Sequence, residues 1–147
     1  KKFAHEGGII TPLIVHWPDV VTDGGRITHQ TGHVIDMMPT LLDVAGATYP
    51  SRSQGRALRP VDGRSLLPIL QGKQRDGHDA IFFDHARGQA VRAGRWKAVR
   101  RGGQAKDWQL YEMQADGTEL HNLAEEKPQL LRELVTQWQR WRKSSRR

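Results

Sequence analysis

The sequence predicts an α/β fold, in which a strand and helices are followed by a small antiparallel sheet packed by a C-terminal helix. Three observations predict it. The apolar run at 13–17 is typical of a buried strand, and apolar residues at three and four spacing over 34–45 are typical of an amphipathic helix. From 80 to 112 the apolar runs become short and alternating, which indicates strands, before helical spacing returns at 129.

Composition bounds the class of protein. With 147 residues, 37% hydrophobic and 27% charged, the chain can form one domain or two small lobes, and no apolar run is long enough to indicate a membrane span. The absence of cysteine excludes disulfides, thiolate metal sites and cysteine nucleophiles. The formal net charge of +7 favours anionic partners, and nucleic acid, anionic lipid and sulfated polysaccharide all remain open on charge alone.

The first part of the chain opens on a charged loop before the predicted strand. The pair Gly7-Gly8 suits a loop that other groups approach closely. Pro39 predicts that the main helix begins anew there, and we expect Asp36 to cap it. A surface loop over 47–64 and a short helix over 65–72 follow, and the apolar-free segment after Gly72 predicts a boundary between residues 1–72 and 73–147.

The second part should be a meander followed by a helix. Four short runs separated by glycine-containing turns predict strands at 80–84, 89–92, 96–100 and 108–112. Pro128 suits the first turn of the last helix, whose apolar face should pack across the sheet. That face carries Leu130, Leu131, Leu134, Val135, Trp138 and Trp141. We expect the basic tail 140–147 to be frayed and solvated.

Four segments carry a family resemblance. The pattern Lys-x-x-x-His-Glu-Gly-Gly-x-x-x-Pro-Leu-Ile-x-x-Trp-Pro, from Lys1 to Pro18, resembles the later part of the catalytic domain of sulfatases of the arylsulfatase type, in the alkaline-phosphatase-like superfamily. Segments 32–46 and 62–66 are similar to the helix and loop that follow there. Motifs between 84 and 124 resemble the C-terminal subdomain of the same family. The resemblance thus covers nearly the whole chain, in the right order.

The resemblance implies that residues 1–72 end a sulfatase catalytic domain and that 73–147 form its C-terminal subdomain. It gives Lys1 a catalytic role, in contact with the sulfate ester. An ammonium is a compact donor that can stabilise the charge developing on the leaving oxygen. It also implies a calcium ion and a formylglycine nucleophile in the full-length parent, supplied from upstream, so we expect no metal bound by this chain and an inactive fragment. A periplasmic or secreted location is expected of such a parent.

Other polar residues have competing interpretations. His85 and His5 are candidate substrate-binding residues, although His85 departs from the family pattern after it and suits a strand end, and His5 also suits an ordinary loop. Glu6 should bind backbone groups or a cation, and His33 should be structural. Thr48 heads a segment similar to the formylglycine signature, but oxidation of threonine would give a ketone, so we predict a turn there.

Alternative functions stay open from the sequence. The parent could be a related phosphoester or phosphonate hydrolase of the same superfamily, or a non-catalytic polyanion-binding module. A nucleic-acid surface would use Arg92, Arg95, Lys97, Arg100 and Arg101 with Trp96 and Trp108, but the tryptophans fall at positions that suit a core. The expected partners are a sulfated small molecule or polysaccharide and the upstream part of the same catalytic domain, with no nucleic acid and no membrane span.

Overall fold

The computed structural model describes residues 3–85, 88–102 and 107–145. The chain forms two compact units: one joins the segment up to Leu13 with the segment from His78 onward, and the other is Ile14–Gly77. This division differs from the expected boundary after Gly72, because the first residues of the chain pack with the C-terminal sheet. The assignment of 1–72 and 73–147 to a catalytic domain and a subdomain stays a prediction.

The described residues form short helices and a two-stranded hairpin, followed by four consecutive strands and one long helix. In chain order they are α1 Glu6–Ile9, a 3-10 turn Val34–Asp36, α2 Met37–Val44, β1 Arg52–Ser53, β2 Arg56–Ala57, α3 Leu67–Leu70, β3 Ile81–His85, β4 Gly88–Ala93, β5 Trp96–Arg101, β6 Gln109–Glu112 and α4 Pro128–Ser145. Strands β3 to β6 form one antiparallel sheet in sequential order, which confirms the predicted meander. Among the described residues, no helix is both long and apolar enough to cross a membrane.

Helix α4 covers one face of this sheet, as its apolar stripe predicts. Its Leu134 and Trp138 are buried in a cluster with Val91, Ala98 and Leu110. The indole Nε1 of Trp138 donates to the Phe83 carbonyl oxygen at 2.9 Å, which fixes the helix against β3. The packing of the helix on the sheet is therefore confirmed.

The expectation of a frayed tail is wrong for the described residues, because α4 continues to Ser145. The Arg142 guanidinium lies 2.9 Å from the Asp84 carboxylate and 5.1 Å from the Trp138 ring centroid. Arg142 and Lys143 also occupy the last turn, where cations interact favourably with the helix dipole. The tail residues thus have partners that hold them in the helix.

The opposite face of the sheet is covered by the N-terminal segment. Ala4 is completely buried there, in a cluster with Ala90, Val99, Tyr111 and Met113. A Cβ on Gly88 would lie 2.5 Å from the Ala4 nitrogen, so the two backbones are in close contact and only glycine fits. The sheet is therefore a layer between α4 and the start of the chain.

The unit Ile14–Gly77 is organised around Asp36. This residue is completely buried, and its carboxylate accepts from the backbone N–H groups of His33 and Arg64 and from Arg75 Nη2, each at 2.9 Å. The His33 ring in turn caps the 3-10 turn that follows it, which confirms the structural role expected of His33. The expectation that Asp36 caps the main helix is wrong, because its side chain makes no cap hydrogen bond to α2 and bonds the backbone of His33 instead. A Cβ on Gly63 would lie 2.0 Å from the Ile35 oxygen, so this unit too contains a close backbone approach.

The predicted strand at 13–17 is wrong, because the segment is irregular and Leu13 and Ile14 are 57% and 89% exposed. A buried strand needs hydrogen-bonding neighbours, and this segment pairs with none of the described strands. The predicted loop at 47–64 contains the hairpin β1–β2. Thr48 precedes this hairpin in an irregular stretch.

Candidate functional site

The site begins with the segment that follows Lys1. The Phe3 ring lies 4.3 Å from the Arg101 guanidinium, and His5 Nε2 lies 3.0 Å from Gln109 Oε1. A Cβ on Gly8 would lie 2.1 Å from the Phe3 carbonyl oxygen, whereas Gly7 has open space around it. Only the second glycine of the pair is therefore required for a close approach. The contact between Gly8 and the Phe3 carbonyl folds the segment back on itself.

Glu6 connects this segment to the sheet through a buried ion cluster. The Lys97 ammonium is fully buried, with Nζ 2.7 Å from Glu6 Oε1 and 2.7 Å from Glu119 Oε1. The Glu6 backbone N–H donates to Glu119 Oε2 at 2.7 Å, and Arg92 Nη1 lies 3.9 Å from Glu6 Oε2. We call Glu6, Arg92, Lys97 and Glu119 the Lys97 cluster. Its four charges sum to zero, as a buried ionic site requires.

A tight turn holds Glu119 in place. Glu119 has a φ of 60°, in the left-handed region that is uncommon for a residue with a side chain. The Asp116 carboxylate accepts from the backbone N–H groups of Leu120 and His121 at 3.0 and 2.8 Å. These two bonds lower the pKa of Asp116 from its ordinary 3.8, with smaller contributions from the charge of His121 and the hydroxyl of Thr118.

Tyr111 lies beside the Lys97 cluster, directly opposite Lys97 in the β5–β6 register. Burial raises the pKa of the Tyr111 hydroxyl above its usual 10.0, and the carboxylates of Glu119 and Asp116 raise it further. Tyr111 is therefore neutral at physiological pH. Its side chain gives the cluster an apolar boundary, in the same core as Ala4.

The structure places the predicted site residues as follows. Lys1 lies outside the described residues. His85 ends β3 opposite Gly88 and is exposed, and His5 is half-buried beside Gln109. Their substrate-binding roles stay predictions. Glu6 binds a cation and also donates its backbone N–H, so the expectation for Glu6 is confirmed.

The structure separates several residues of the alternative nucleic-acid surface. Lys97 is buried, and strand alternation puts Arg100 and Arg101 on opposite faces of the sheet. Arg100 lies over the rings of Trp108 and Trp138, at 5.3 and 5.9 Å from their centroids, so those rings pack with the core. The seven residues named for that surface therefore do not all lie on one face of the sheet.

Sequence reasoning missed the Lys97 cluster, although a signal was present. The resembling motifs contribute its charged residues: the opening motif gives Glu6, the motif at 90–97 gives Arg92 and Lys97, and the motif at 118–124 gives Glu119. A lysine between apolar residues of a predicted core strand is unusual, because a buried ammonium needs paired anions. That position could have prompted a search for its partners.

The calcium ion implied by the resemblance does not fit the described part of the chain. No group of three or more histidine or acidic side chains there could hold a metal ion. The acids near the N-terminal segment, Glu6 and Glu119, are already paired with Lys97. A hard cation needs several oxygen ligands, and these two carboxylates are committed to an ammonium.

Comparison with known proteins identifies the family. A family model described as N-sulphoglucosamine sulphohydrolase, C-terminal, matches residues 1–144. The chain is 32% identical over 143 residues to an uncharacterized sulfatase of Schizosaccharomyces pombe, covering 94% of this chain and 26% of that protein. It is 34% identical over 104 residues to arylsulfatase A of Homo sapiens, covering 67% of this chain and 19% of that protein. The chain thus spans no more than 26% of the length of these two relatives.

Solved structures confirm the predicted fold class. A protein in complex with its substrate D-glucosamine-2-N,6-O-disulfate matches with a TM-score of 0.53 at 24% identity, over 74% of this chain and 23% of that one. The crystal structure of Ps i-CgsB also matches with a TM-score of 0.53, at 22% identity over 72% of this chain and 23% of that one. At these identities the likeness shows the fold. The chain belongs to the sulfatase family, within the group described as N-sulphoglucosamine sulphohydrolase, C-terminal.

Proposed function

We propose that the protein containing this chain hydrolyses sulfate esters, and that Lys1 binds the reacting sulfate. The family match, which includes the opening motif, supports the reaction class. The observation that carries the role of Lys1 is the anchoring of the residues after it: Ala4 is completely buried and Glu6 is paired with Lys97 at 2.7 Å. A segment so fixed can hold a side chain in one geometry, as catalysis requires.

The chemistry assigned to Lys1 is electrostatic. Cleavage of the S–O bond leaves negative charge on the departing oxygen, and an ammonium held near that oxygen stabilises the charge as it develops. The sulfate group itself is anionic, so the same ammonium also favours binding. His5 and His85 are proposed to contact the rest of the substrate. The substrate class is a sulfated small molecule or polysaccharide.

The chain by itself is proposed to be inactive. It contains no cysteine, and the segment that begins at Thr48 only resembles the formylglycine signature, with a threonine whose oxidation would give a ketone. The family's calcium and formylglycine would supply a Lewis acid and a nucleophile when present. The residues of this chain are proposed to bind and orient the sulfate beside them. An assay of the 147-residue chain with para-nitrophenyl sulfate and calcium checks this, and turnover would contradict it.

The test of the main proposal uses the full-length protein with para-nitrophenyl sulfate and para-nitrophenyl phosphate. Lys1→Met should lower kcat/KM for the sulfate ester by about a hundredfold to a thousandfold, the usual loss on removing one transition-state donor. Faster hydrolysis of the phosphate ester in the wild-type protein would instead support the phosphoester alternative.

Two lysines provide the controls. Lys2→Met tests the register of the motif: a large loss there, with none in Lys1→Met, would move the role by one residue. Lys143→Met removes an exposed ammonium in the last turn of α4 and should leave kcat/KM unchanged. Wild-type rates in both Lys1→Met and Lys2→Met would overturn the proposal.

A further inference from the structure

Lys97 has no direct access to a substrate. Its side chain is fully buried, and its ammonium makes ion pairs with Glu6 and Glu119. Burying an ammonium is unfavourable unless such partners compensate it, so the cation is retained together with its two carboxylates. A leucine or methionine would suit an apolar strand better. The role of Lys97 is therefore to be found in what it does to Glu6 and Glu119.

Glu6 is held by two cations from neighbouring strands. Lys97 on β5 lies directly opposite Arg92 on β4, and the Glu6 carboxylate contacts both, at 2.7 and 3.9 Å. Because each cation projects from a paired strand of the sheet, the position of the carboxylate is set by the most regular part of the unit. Glu6 lies 91 residues before Lys97 in the chain, so this contact determines where the N-terminal segment sits.

The backbone at Glu6 is held as well. Its N–H donates to Glu119 Oε2 at 2.7 Å, while the other oxygen of Glu119 pairs with Lys97. The turn fixed by Asp116 orients Glu119. Both the side chain and the main chain of Glu6 therefore depend on the cluster centred on Lys97. Lys1 is only five residues earlier in the sequence.

We propose that Lys97 is a positioning residue for sulfate ester hydrolysis, which acts by fixing Glu6 and thereby the segment that carries Lys1. This inference rests on the proposed function. Lys97 touches no reacting atom, and its effect on the rate passes through the geometry of Lys1. Displacements of about 1 Å in a catalytic group can lower rates by about a hundredfold, so loss of the anchor should be visible in kinetics.

The experiment is a double-mutant cycle in the full-length protein with para-nitrophenyl sulfate. Lys97→Met should lower kcat/KM by about tenfold to a hundredfold in the wild-type background. In the Lys1→Met background the same substitution should have almost no further effect, because the group that it displaces is already absent. The residual rate of Lys1→Met stays measurable, since sulfate ester hydrolysis depends on more than this one donor. Lys143→Met is the matched control.

The outcomes separate the two proposals. Wild-type kinetics in both Lys1→Met and Lys2→Met would overturn the proposed function. A second result would overturn the positioning role alone: Lys1→Met is slow, but Lys97→Met lowers kcat/KM by the same factor in the wild-type and in the Lys1→Met protein. Equal factors would mean that Lys97→Met causes a general structural defect, which acts independently of Lys1. Should Lys97→Met fail to fold, Glu119→Gln takes its place, because it removes one ion pair and keeps an amide oxygen for the Glu6 N–H. Wild-type kinetics in folded Glu119→Gln, or equal losses in both backgrounds, would also overturn it.

Discussion

Asp116 shows how one carboxylate determines the geometry of the turn that carries Glu119. Two backbone N–H groups and the Thr118 hydroxyl donate to it, and the turn that they form presents Glu119 to Lys97. Charge-assisted bonds of this kind are stronger than those between neutral groups. A single acid in a loop thus supports the buried ion cluster from outside, and its protonation should weaken that support.

The contribution of Asp116 to the stability of the chain should therefore be lost as the pH falls below 3.8. The folded state lowers the pKa of Asp116 below 3.8, so its contribution is present above that value and is lost as the pH falls through the folded pKa. Asp116→Asn should lower the Tm at about pH 6, and the difference from wild type should shrink towards about pH 3. Thermal melts monitored by circular dichroism measure this.

The exposed loop residue Asp19 supplies the control for the acid experiment, because Asp19→Asn should leave the Tm unchanged at both pH values. A Tm difference between wild type and Asp116→Asn that is the same at both pH values would contradict the assignment. That result would show that the effect of Asp116→Asn on the Tm does not depend on the charge of the carboxylate.

At the scale of elements, helix α4 packs on one face of the sheet and stabilises it. Trp138 is 3% exposed, donates to the Phe83 carbonyl and meets Trp108 edge to face at 5.4 Å. Removing such a side chain loses apolar contacts and leaves a cavity, and it also removes the hydrogen bond to the Phe83 carbonyl. One residue thus joins the helix to the sheet by both packing and hydrogen bonding.

Trp138→Ala should lower the free energy of unfolding by about 3–5 kcal/mol, and Trp138→Phe by less, because the ring packing is partly kept. Urea denaturation followed by circular dichroism measures both. Gln137→Ala, on the exposed side of the same helix turn, should be nearly neutral. Equal losses in Trp138→Ala and Gln137→Ala would show that the helix is not held by this residue.

The elements also show what the sequence can predict. Strands β3 to β6 and helix α4 were predictable because their apolar periods match the faces that they bury against one another. The apolar run at 13–17 has the same local signal, but a strand forms only where neighbouring strands accept its hydrogen bonds. The pairing of Glu6 with Lys97 was not predictable from periodicity, since it joins residues 91 apart and depends on the packing of Ala4.

At the scale of the whole molecule, the start of the chain stabilises its second half. The segment from Phe3 to Ile10 lies on the face of the sheet opposite α4, and Ala4 fills its core. The conformation of this N-terminal segment depends on Gly8, because any side chain at residue 8 would meet the Phe3 carbonyl oxygen. A change at residue 8 should therefore be detected in strands that begin more than seventy residues later.

Adjacent glycines make this a matched comparison. Gly8→Ala places a Cβ 2.1 Å from the Phe3 oxygen, so the segment must move, and we expect a loss of about 1–3 kcal/mol, as in other overpacked sites. Gly7→Ala meets nothing within 4 Å in a helical position and should be neutral or slightly stabilising. Hydrogen exchange should accelerate at the amides of β4 and β5 in Gly8→Ala alone. Equal exchange rates in the two variants would show that the sheet is stable without the segment. The proposal that Lys97 positions Lys1 through this segment would then lose its structural basis.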